Sequence, residues 1–541
     1  MSASRGPRLS ALWLMLMGTI TLGLARPAGA QFLGNDAQPM FPDPIPRSTR
    51  LQGMGRLTLA DDWNNRLTLW DFARNPVGLA ESDSTSEIEV WPGASAADAQ
   101  RDLVAGSDSP VHQLLDARGQ GVAYEAFHRS RHGMAYGARG TLGNRSVDQI
   151  YDDQTGIDQK FKAPDVEVIL NGEMPHVGEQ MHWALRGTFG RQDVENRYHT
   201  IETNVAGEFV GVTGDAVKPP DFFTPDQYKI TTNGVGIGLS YKTGPWLTAT
   251  ANADFYTMKV DGENSDVRHF SGTGESRPYR VYESTAMGRI GKSFEWIADG
   301  RAWSAENEQT WVFTLAAGIQ QDPLTGRGFA FQRREEGSSL RTRARYALGD
   351  LTLGGSFDTH YGKVEITGPR ADDYTSFNYF LNTLSYRQNA DSLVLPDSVS
   401  SDVAFQRDVA FAVGGTYAMP WRHSLAGAEY HHFRGAHDQE LTGIGPRQVM
   451  WDVRAGLEVP CTKVMTGRIG FVHRSNDADT YTERNETIGN AVTAGVGVIH
   501  PGARWSLQAS YGHEWLAVDY ADPYQTHGGG HSFALNLRWA F

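Results

Sequence analysis

The sequence predicts an all-β protein, a transmembrane antiparallel β-barrel of about 18 strands (range about 14–18) that follows a short N-terminal segment. Three observations support this prediction. Apolar and polar side chains alternate along many stretches of about 9–13 residues, the length that a tilted strand needs to cross hydrocarbon. Short turns and long polar loops alternate between these stretches. The chain also ends on such a stretch, with an aromatic last residue.

The alternation is clear wherever every second residue is apolar. Residues 449–459 carry Val, Trp, Val, Ala, Leu and Val at the odd positions, with Asp452, Arg454 and Glu458 among the residues between them. Residues 235–241 show the same pattern, with Val, Ile, Leu and Tyr at the odd positions. In a membrane barrel the apolar face contacts lipid and the polar face lines the lumen, so a mean hydropathy of −0.43 is compatible with membrane insertion.

The connections fix the orientation of the predicted barrel. Short turns are expected near residues 130–132, 242–245, 349–350, 419–422, 460–462 and 500–503, and longer polar loops separate them. Short turns face the periplasm in bacterial barrels, and the last strand ends on that side. Residues 374–388 carry apolar side chains at helical spacing and are interpreted as a helix within one long outer loop.

The last strand carries an assembly signal. One face of residues 531–541 holds Phe533, Leu535, Leu537, Trp539 and Phe541. This stretch resembles the C-terminal strand of bacterial outer-membrane proteins. The resemblance implies that the barrel-assembly machinery is a partner and recognises Trp539 and Phe541. The alternative is the last strand of a soluble sheet, as in an exported propeller.

The N-terminus is typical of an exported protein. Arg5 and Arg8 precede a mostly apolar stretch, residues 12–24, and Ala28-Gly29-Ala30 is a small-x-small cleavage site. We interpret residues 1–30 as a cleaved Sec-type signal peptide. An uncleaved anchor helix is the alternative, but the apolar stretch is shorter than the ~20 residues that a span needs.

This leader and the strand pattern divide the chain into three parts. Residues 31–83 form a proline-rich, extended segment, which the resemblance described next implies to be a plug, and residues 84–541 form the barrel. The expected location is the bacterial outer membrane, with its lipid as a partner.

The plug segment resembles the start of the FadL-type transporters, a superfamily that includes the PorV-like barrels. The resemblance is carried by Gly53-Met54-Gly55, Asp61-Asp62, Trp70, Phe72 and Asn75-Pro76-Val77-Gly78-Leu79, with Val77 where alanine is usual. It implies a hatch inside the barrel and transport of small hydrophobic or amphipathic solutes. From the residues alone, Asn75, Pro76, Gly78 and Leu79 suit equally a turn that leads into the first strand.

A ladder of basic residues is the main candidate site. Arg341, Arg343 and Arg345 alternate with residues that would face lipid, so the three guanidinium groups should share the lumen. They are candidate contacts for an anionic group of a solute. Alternatively, lumenal carboxylates pair with them in a structural network.

Other functions are not favoured by the sequence. A net charge of −14 argues against nucleic acid, and a single cysteine, Cys461, excludes an intrachain disulfide. We expect that the protein is not an enzyme and binds no cofactor or metal ion. His431 and His432 are adjacent on a strand and should face opposite sides, which argues against a shared metal. The alternative to a transport function is a structural or surface-interaction barrel that transports nothing.

Overall fold

The structure of the chain is a computed structural model. It describes residues 49–57, 86–103, 112–130, 134–150, 155–174, 178–203, 209–215, 227–244, 246–263, 268–276, 279–315, 328–369, 399–439, 447–479, 484–499, 504–520 and 524–540. The predicted signal peptide, the Asn75-Pro76-Val77-Gly78-Leu79 motif, the predicted helix at residues 374–388 and Phe541 lie outside these ranges.

The described ranges contain two short helices and twenty strands. The helices are α1 (Thr49–Gly53) and a 3₁₀ helix at Trp421–His423. The strands are β1 (Ser86–Leu103), β2 (His112–Arg129), β3 (Ala135–Ile150), β4 (Thr155–Met174), β5 (Gly178–Thr203), β6 (Phe209–Asp215), β7 (Gln227–Lys242), β8 (Thr248–Glu263), β9 (Arg268–Ser276), β10 (Tyr279–Ile290), β11 (Phe294–Leu315), β12 (Gly328–Leu348), β13 (Leu351–Pro369), β14 (Val399–Ala418), β15 (Leu425–Gln439), β16 (Arg447–Pro460), β17 (Met465–Asp479), β18 (Arg484–Ile499), β19 (Trp505–Tyr520) and β20 (Tyr524–Ala540).

These strands close into one antiparallel barrel. β1 pairs with β2 on one side and with β20 on the other, which joins the ends of the sheet. β6 pairs with the outer end of β5 only, and β9 and β10 together fill one position between β8 and β11. The wall therefore has eighteen strand positions, which confirms the predicted fold class and strand number.

The outward face of the wall is an apolar belt. On β7, the side chains of Val235, Ile237 and Leu239 are 66%, 60% and 47% exposed, as the alternation predicted. Similar exposed rows occur on other strands, for example Val409, Phe411 and Val413 on β14 and Phe533, Leu537 and Trp539 on β20. Such a belt is stable only in contact with lipid, since soluble proteins rarely expose so large an apolar surface. No described helix is long and apolar enough to cross a membrane.

The described tight turns include the predicted ones near residues 349–350, 419–422 and 460–462, and a further one at residues 291–293 that the sequence did not predict. β12 and β13 are joined by two residues, and the other predicted short turns also connect adjacent strands. Because the strands are antiparallel, these turns share the end of the barrel at which β20 ends.

The strands at the opposite end are longer than the alternation predicted. β5 reaches Thr203, well into a predicted loop, and its outer part carries outward pairs of opposite charge such as Arg191 with Asp193. Because both faces of the outer part carry charged side chains, apolar and polar residues no longer alternate there. The alternation in the sequence therefore stops at the edge of the apolar belt, although the strand continues.

Candidate functional site: the lumen of the barrel

A network of buried charges crosses the inner wall. Arg186 on β5 pairs through Nε and Nη2 with the carboxylate of Asp254 on β8, at 2.9 Å for Nε. Its Nη1 lies 3.4 Å from Oε1 of Glu167 on β4, and Nη2 lies 3.8 Å from Oε2 of Glu283 on β10. Arg139 on β3 donates from Nε to Glu167 at 2.8 Å. The opposite charges therefore link five strand positions across the lumenal surface.

A glycine on the intervening strand makes this network possible. β7 lies between β5 and β8, and Gly236 is its residue beneath the Arg186–Asp254 pair. A Cβ at Gly236 would overlap Oδ1 of Asp254 and lie 3.3 Å from Nε of Arg186. The absence of a side chain thus lets two charges meet across a whole strand. Arg186 and Asp254 are almost fully buried, at 7% and 2% exposure.

The predicted arginine ladder is lumenal, and two of its three members have partners. Nε of Arg341 lies 2.5 Å from Oδ1 of Asp358, and Arg345 lies 2.5 Å from Glu295. Within the described part of the chain, Arg343 between them has no carboxylate at ion-pair distance. Its neighbours in register are Ile297 and Ser356, which carry no charge. Two structural pairs thus flank Arg343, and a contact between the ladder and a solute stays a prediction.

An aromatic pair on the same wall was not predicted. Trp303 on β11 stacks on His360 of β13, with ring centroids 5.0 Å apart, and the guanidinium of Arg301 lies 5.8 Å from the indole centroid. The ring of Trp303 crosses β12 at Gly337, where a Cβ would overlap it. Sequence analysis missed the pair because it depends on the register of three strands.

Residues 53–57 lie on a row of small residues inside the barrel. Gly427, Gly456, Gly470 and Thr493 are successive Cα partners on β15, β16, β17 and β18. A Cβ at Gly456 or Gly470 would overlap the backbone of Met54 or Gly55, and one at Gly427 would lie 2.8 Å from Cδ1 of Leu57. We call these four residues the small-residue row. They give the segment a shallow seat directly on the wall.

Polar contacts hold this segment at both ends. Arg50 donates to both carboxylate oxygens of Glu458 at 2.8 Å, and Glu458 also accepts from Nε of Arg468 at 2.7 Å. Arg56 pairs with Glu514 at 3.2 Å, and the Gly55 amide donates to Oγ1 of Thr493 at 2.9 Å.

The conformation and burial of the segment fit this seat. Gly55 and Arg56 have φ of 75° and 58°, a region that favours glycine and sharply turns the chain. Met54 and Leu57 are fully buried. The Gly53-Met54-Gly55 motif thus allows the backbone of the segment to lie directly against the barrel wall.

A group of carboxylates near the end of the last strand could hold a cation. Glu87, Glu89 and Glu125 place oxygens within 4.8 Å of one another. Arg538 pairs with Glu87 at 2.5 Å, and the amide of Asn536 donates to Glu89 at 2.6 Å. Positive and polar neighbours thus already stabilise this cluster.

The adjacent histidines face opposite sides, as predicted. His431 faces the lumen, where its Nε2 lies 2.9 Å from Oε2 of Glu429. His432 lies on the outer face, with its ring centroid 5.2 Å from that of Phe411. One metal ion cannot therefore be bound by both rings.

No family model matches the chain, and no curated protein matches it. Solved structures with a similar fold include the ferric yersiniabactin uptake receptor FyuA from Yersinia pestis, with a TM-score of 0.41, 9% identity, and coverage of 85% of this chain and 80% of the receptor. A FadL homologue from Pseudomonas aeruginosa matches with a TM-score of 0.34, 11% identity, and coverage of 93% and 99%. The toluene transporter TodX from Pseudomonas putida matches at 0.30, with 10% identity and coverage of 91% and 97%.

These similarities are too weak to assign the chain to a family, so its own geometry must indicate its function. The chain is a membrane-type barrel. Its outer surface is apolar, its lumen is polar and charged, and an N-terminal segment rests on the inner wall.

Proposed function

We propose that the chain is an outer-membrane transport barrel for small amphipathic solutes and not an enzyme. The observation that carries the proposal is the small-residue row with its docked segment. The absence of side chains at Gly456 and Gly470 lets residues 53–57 dock on the inner wall. A transport barrel needs such a docking surface for a movable constriction, whereas a purely structural barrel does not. The outer belt and polar lumen also fit passage between two aqueous compartments.

Residues 31–83 form the hatch in this proposal, and residues 84–541 form the barrel. The described part of the hatch is attached by two ion-pair clusters and by two hydrogen bonds of its backbone, from the Gly55 amide to Oγ1 of Thr493 and from Nη1 of Arg454 to the Arg56 carbonyl oxygen. Contacts of this kind can exchange with water or solute, so the hatch can leave its seat without unfolding the barrel. Asn75, Pro76, Gly78 and Leu79, which complete the hatch motif in the resemblance, would act in the undescribed remainder.

Arg343 is the proposed contact for the polar head of the solute. Its neighbours Arg341 and Arg345 are paired with carboxylates, so they position the strand and leave Arg343 to meet an anion. An arginine in a partly desolvated lumen binds carboxylate or phosphate groups strongly and with defined geometry. The favoured solute is therefore an apolar molecule with one anionic group.

The route into the membrane is part of the same proposal. The leader at residues 1–30 directs export to the outer membrane, and the barrel-assembly machinery recognises the last strand through Trp539 and Phe541. Trp539 points outward on β20 and is 49% exposed, so the assembly machinery can contact it.

Solute flux into proteoliposomes tests the transport proposal. We expect protein lacking residues 31–83 to admit decanoate and decanol faster than the full mature chain does. A truncated barrel that is folded by gel mobility, yet admits neither solute above empty liposomes, would establish a structural or surface-interaction barrel instead.

Replacing Arg343 with glutamine tests the anion contact. We expect the R343Q variant to lose about tenfold in decanoate flux while decanol flux stays unchanged, because only the carboxylate needs the guanidinium. Arg191→Gln is the matched control, since it removes the same charge from the outer face. Equal loss for decanoate and decanol would contradict the assignment.

A further inference from the structure

Three arginines form a patch on the outer face of the wall. Arg407 on β14, Arg434 on β15 and Arg447 on β16 all point outward and are exposed. They lie toward the end of the barrel opposite the tight turns, which the turn lengths identify as the extracellular end. We call these three residues the arginine patch.

Strand register places the three side chains close together. Arg407 and Arg447 are both Cα partners of Ala436, so they lie in one row and two strands apart, about 10 Å. Arg434 lies one step lower on the intervening strand, between Val409 and Val449, and diagonal to both. Diagonal neighbours are about 7–8 Å apart, within reach of side chains as long as arginine.

Two aspartates border the patch on one side. None of its three arginines has a carboxylate at ion-pair distance among the residues that the structure describes. Asp477 and Asp479 on β17 lie opposite Val449 and Arg447 in register, at one edge of the patch.

Several outward arginines elsewhere on the wall are paired within their own strand. Arg118 pairs with Asp116, Arg191 with Asp193, and Arg197 with Glu195, at 2.9, 2.7 and 2.7 Å. The patch differs from these pairs because its three arginines lie together on adjacent strands.

The apolar belt begins directly below the patch. Val409 and Val449 flank Arg434 and are 43% and 38% exposed. The next row contains Phe411, His432 and Trp451, which are Cα partners across the three strands. A ligand of this surface must thus be anionic at its outer end and apolar below it.

We propose that the arginine patch binds the phosphate group of a membrane lipid in the outer leaflet, with the acyl chains of that lipid along Val409, Phe411 and Val449. Arginine suits this role because its planar guanidinium donates paired hydrogen bonds to phosphate oxygens. Membrane lipids place phosphates at the boundary between belt and water, which is the level of the patch. The site is on the outside of the barrel and does not depend on transport through the lumen.

Native mass spectrometry of the detergent-purified full mature chain tests the proposal, with bis-phosphorylated lipid A and phosphatase-treated lipid A as probes. We expect wild-type protein to retain the phosphorylated lipid at least about tenfold better than the treated lipid. The triple variant R407Q/R434Q/R447Q should lose this preference. The triple variant R118Q/R191Q/R197Q is the matched control, because it removes three outward charges and should keep the preference.

The outcomes separate a lipid site from other anion sites. The patch variant should still show the gel mobility of a folded barrel and the flux of decanol that wild type shows, since neither depends on the patch. Retention of phosphorylated lipid within twofold of wild type by the patch variant would overturn the proposal. Displacement of the lipid by about 10 mM inorganic phosphate would also overturn the proposal, because the patch would then bind a free anion without any contribution from the acyl chains.

Discussion

Replacing Gly470 with valine should release residues 53–57 from the inner wall. A Cβ at this position would overlap the backbone of Gly55 and Met54, and the wall strand cannot move without breaking its pairing. Overpacking of this kind costs about 3 kcal/mol, which shifts the docked population on the order of 100-fold. The result should be faster solute flux and new tryptic cleavage at Arg50 and Arg56, detected by mass spectrometry of the released peptides.

Gly143→Val is the matched control for this variant. Gly143 also faces the lumen, on β3, but no atom of the described residues lies within 4 Å of a Cβ built there. It should therefore leave flux and the tryptic pattern unchanged. Protection of Arg50 and Arg56 in the G470V barrel would contradict the seat that we assign to the segment.

Replacing Arg186 with methionine should destabilise the barrel more than any other single lumenal charge change. Its removal leaves the buried carboxylates of Asp254 and Glu167 without their shared cation. Removal of one partner of a buried ion pair lowers the free energy of unfolding by about 3–5 kcal/mol, because an uncompensated charge remains buried. The measurement is the urea midpoint of unfolding in lipid vesicles, followed by the gel mobility of the folded barrel.

Two comparisons isolate the cause of that loss. The double variant R186M/D254L should recover part of the stability, because it removes the carboxylate that R186M leaves unpaired. Arg191→Met, on the same strand but half exposed, should cost less than about 1 kcal/mol. If R186M and R191M unfold at the same urea concentration, the network is not a stabilising element.

The fold could be predicted because it depends on a local pattern. Alternation at period two is visible in any strand that has lipid on one face, so β7 and β20 were identified from their own residues. The pattern weakens where both faces are polar. The outer halves of strands such as β5, with Arg191 and Asp193 outward, therefore looked like loops.

The site could be predicted only in part, because partners depend on the register between distant strands. The ladder Arg341, Arg343 and Arg345 was visible as a lumenal row, but which member lacks a carboxylate depends on β11 and β13. The Arg186–Asp254 pair crosses an entire strand at Gly236, and a glycine among many gives no signal of that role.

The small-residue row shows the same limit. Gly427, Gly456 and Gly470 are far apart in sequence and become one surface only when the strands pair.

Site-directed spin labelling along β7 tests the central claim, that alternate side chains face lipid and lumen. Single cysteines would replace residues 232 to 240 in a C461S background, with labels measured in lipid vesicles for collision with oxygen and with a water-soluble nickel complex. We predict that Val235, Ile237 and Leu239 report high oxygen and low nickel accessibility, and that Thr232 and Ser240, which are buried on the lumenal face, report low oxygen accessibility. Uniform accessibility along the strand, or high nickel accessibility at Ile237, would contradict the account.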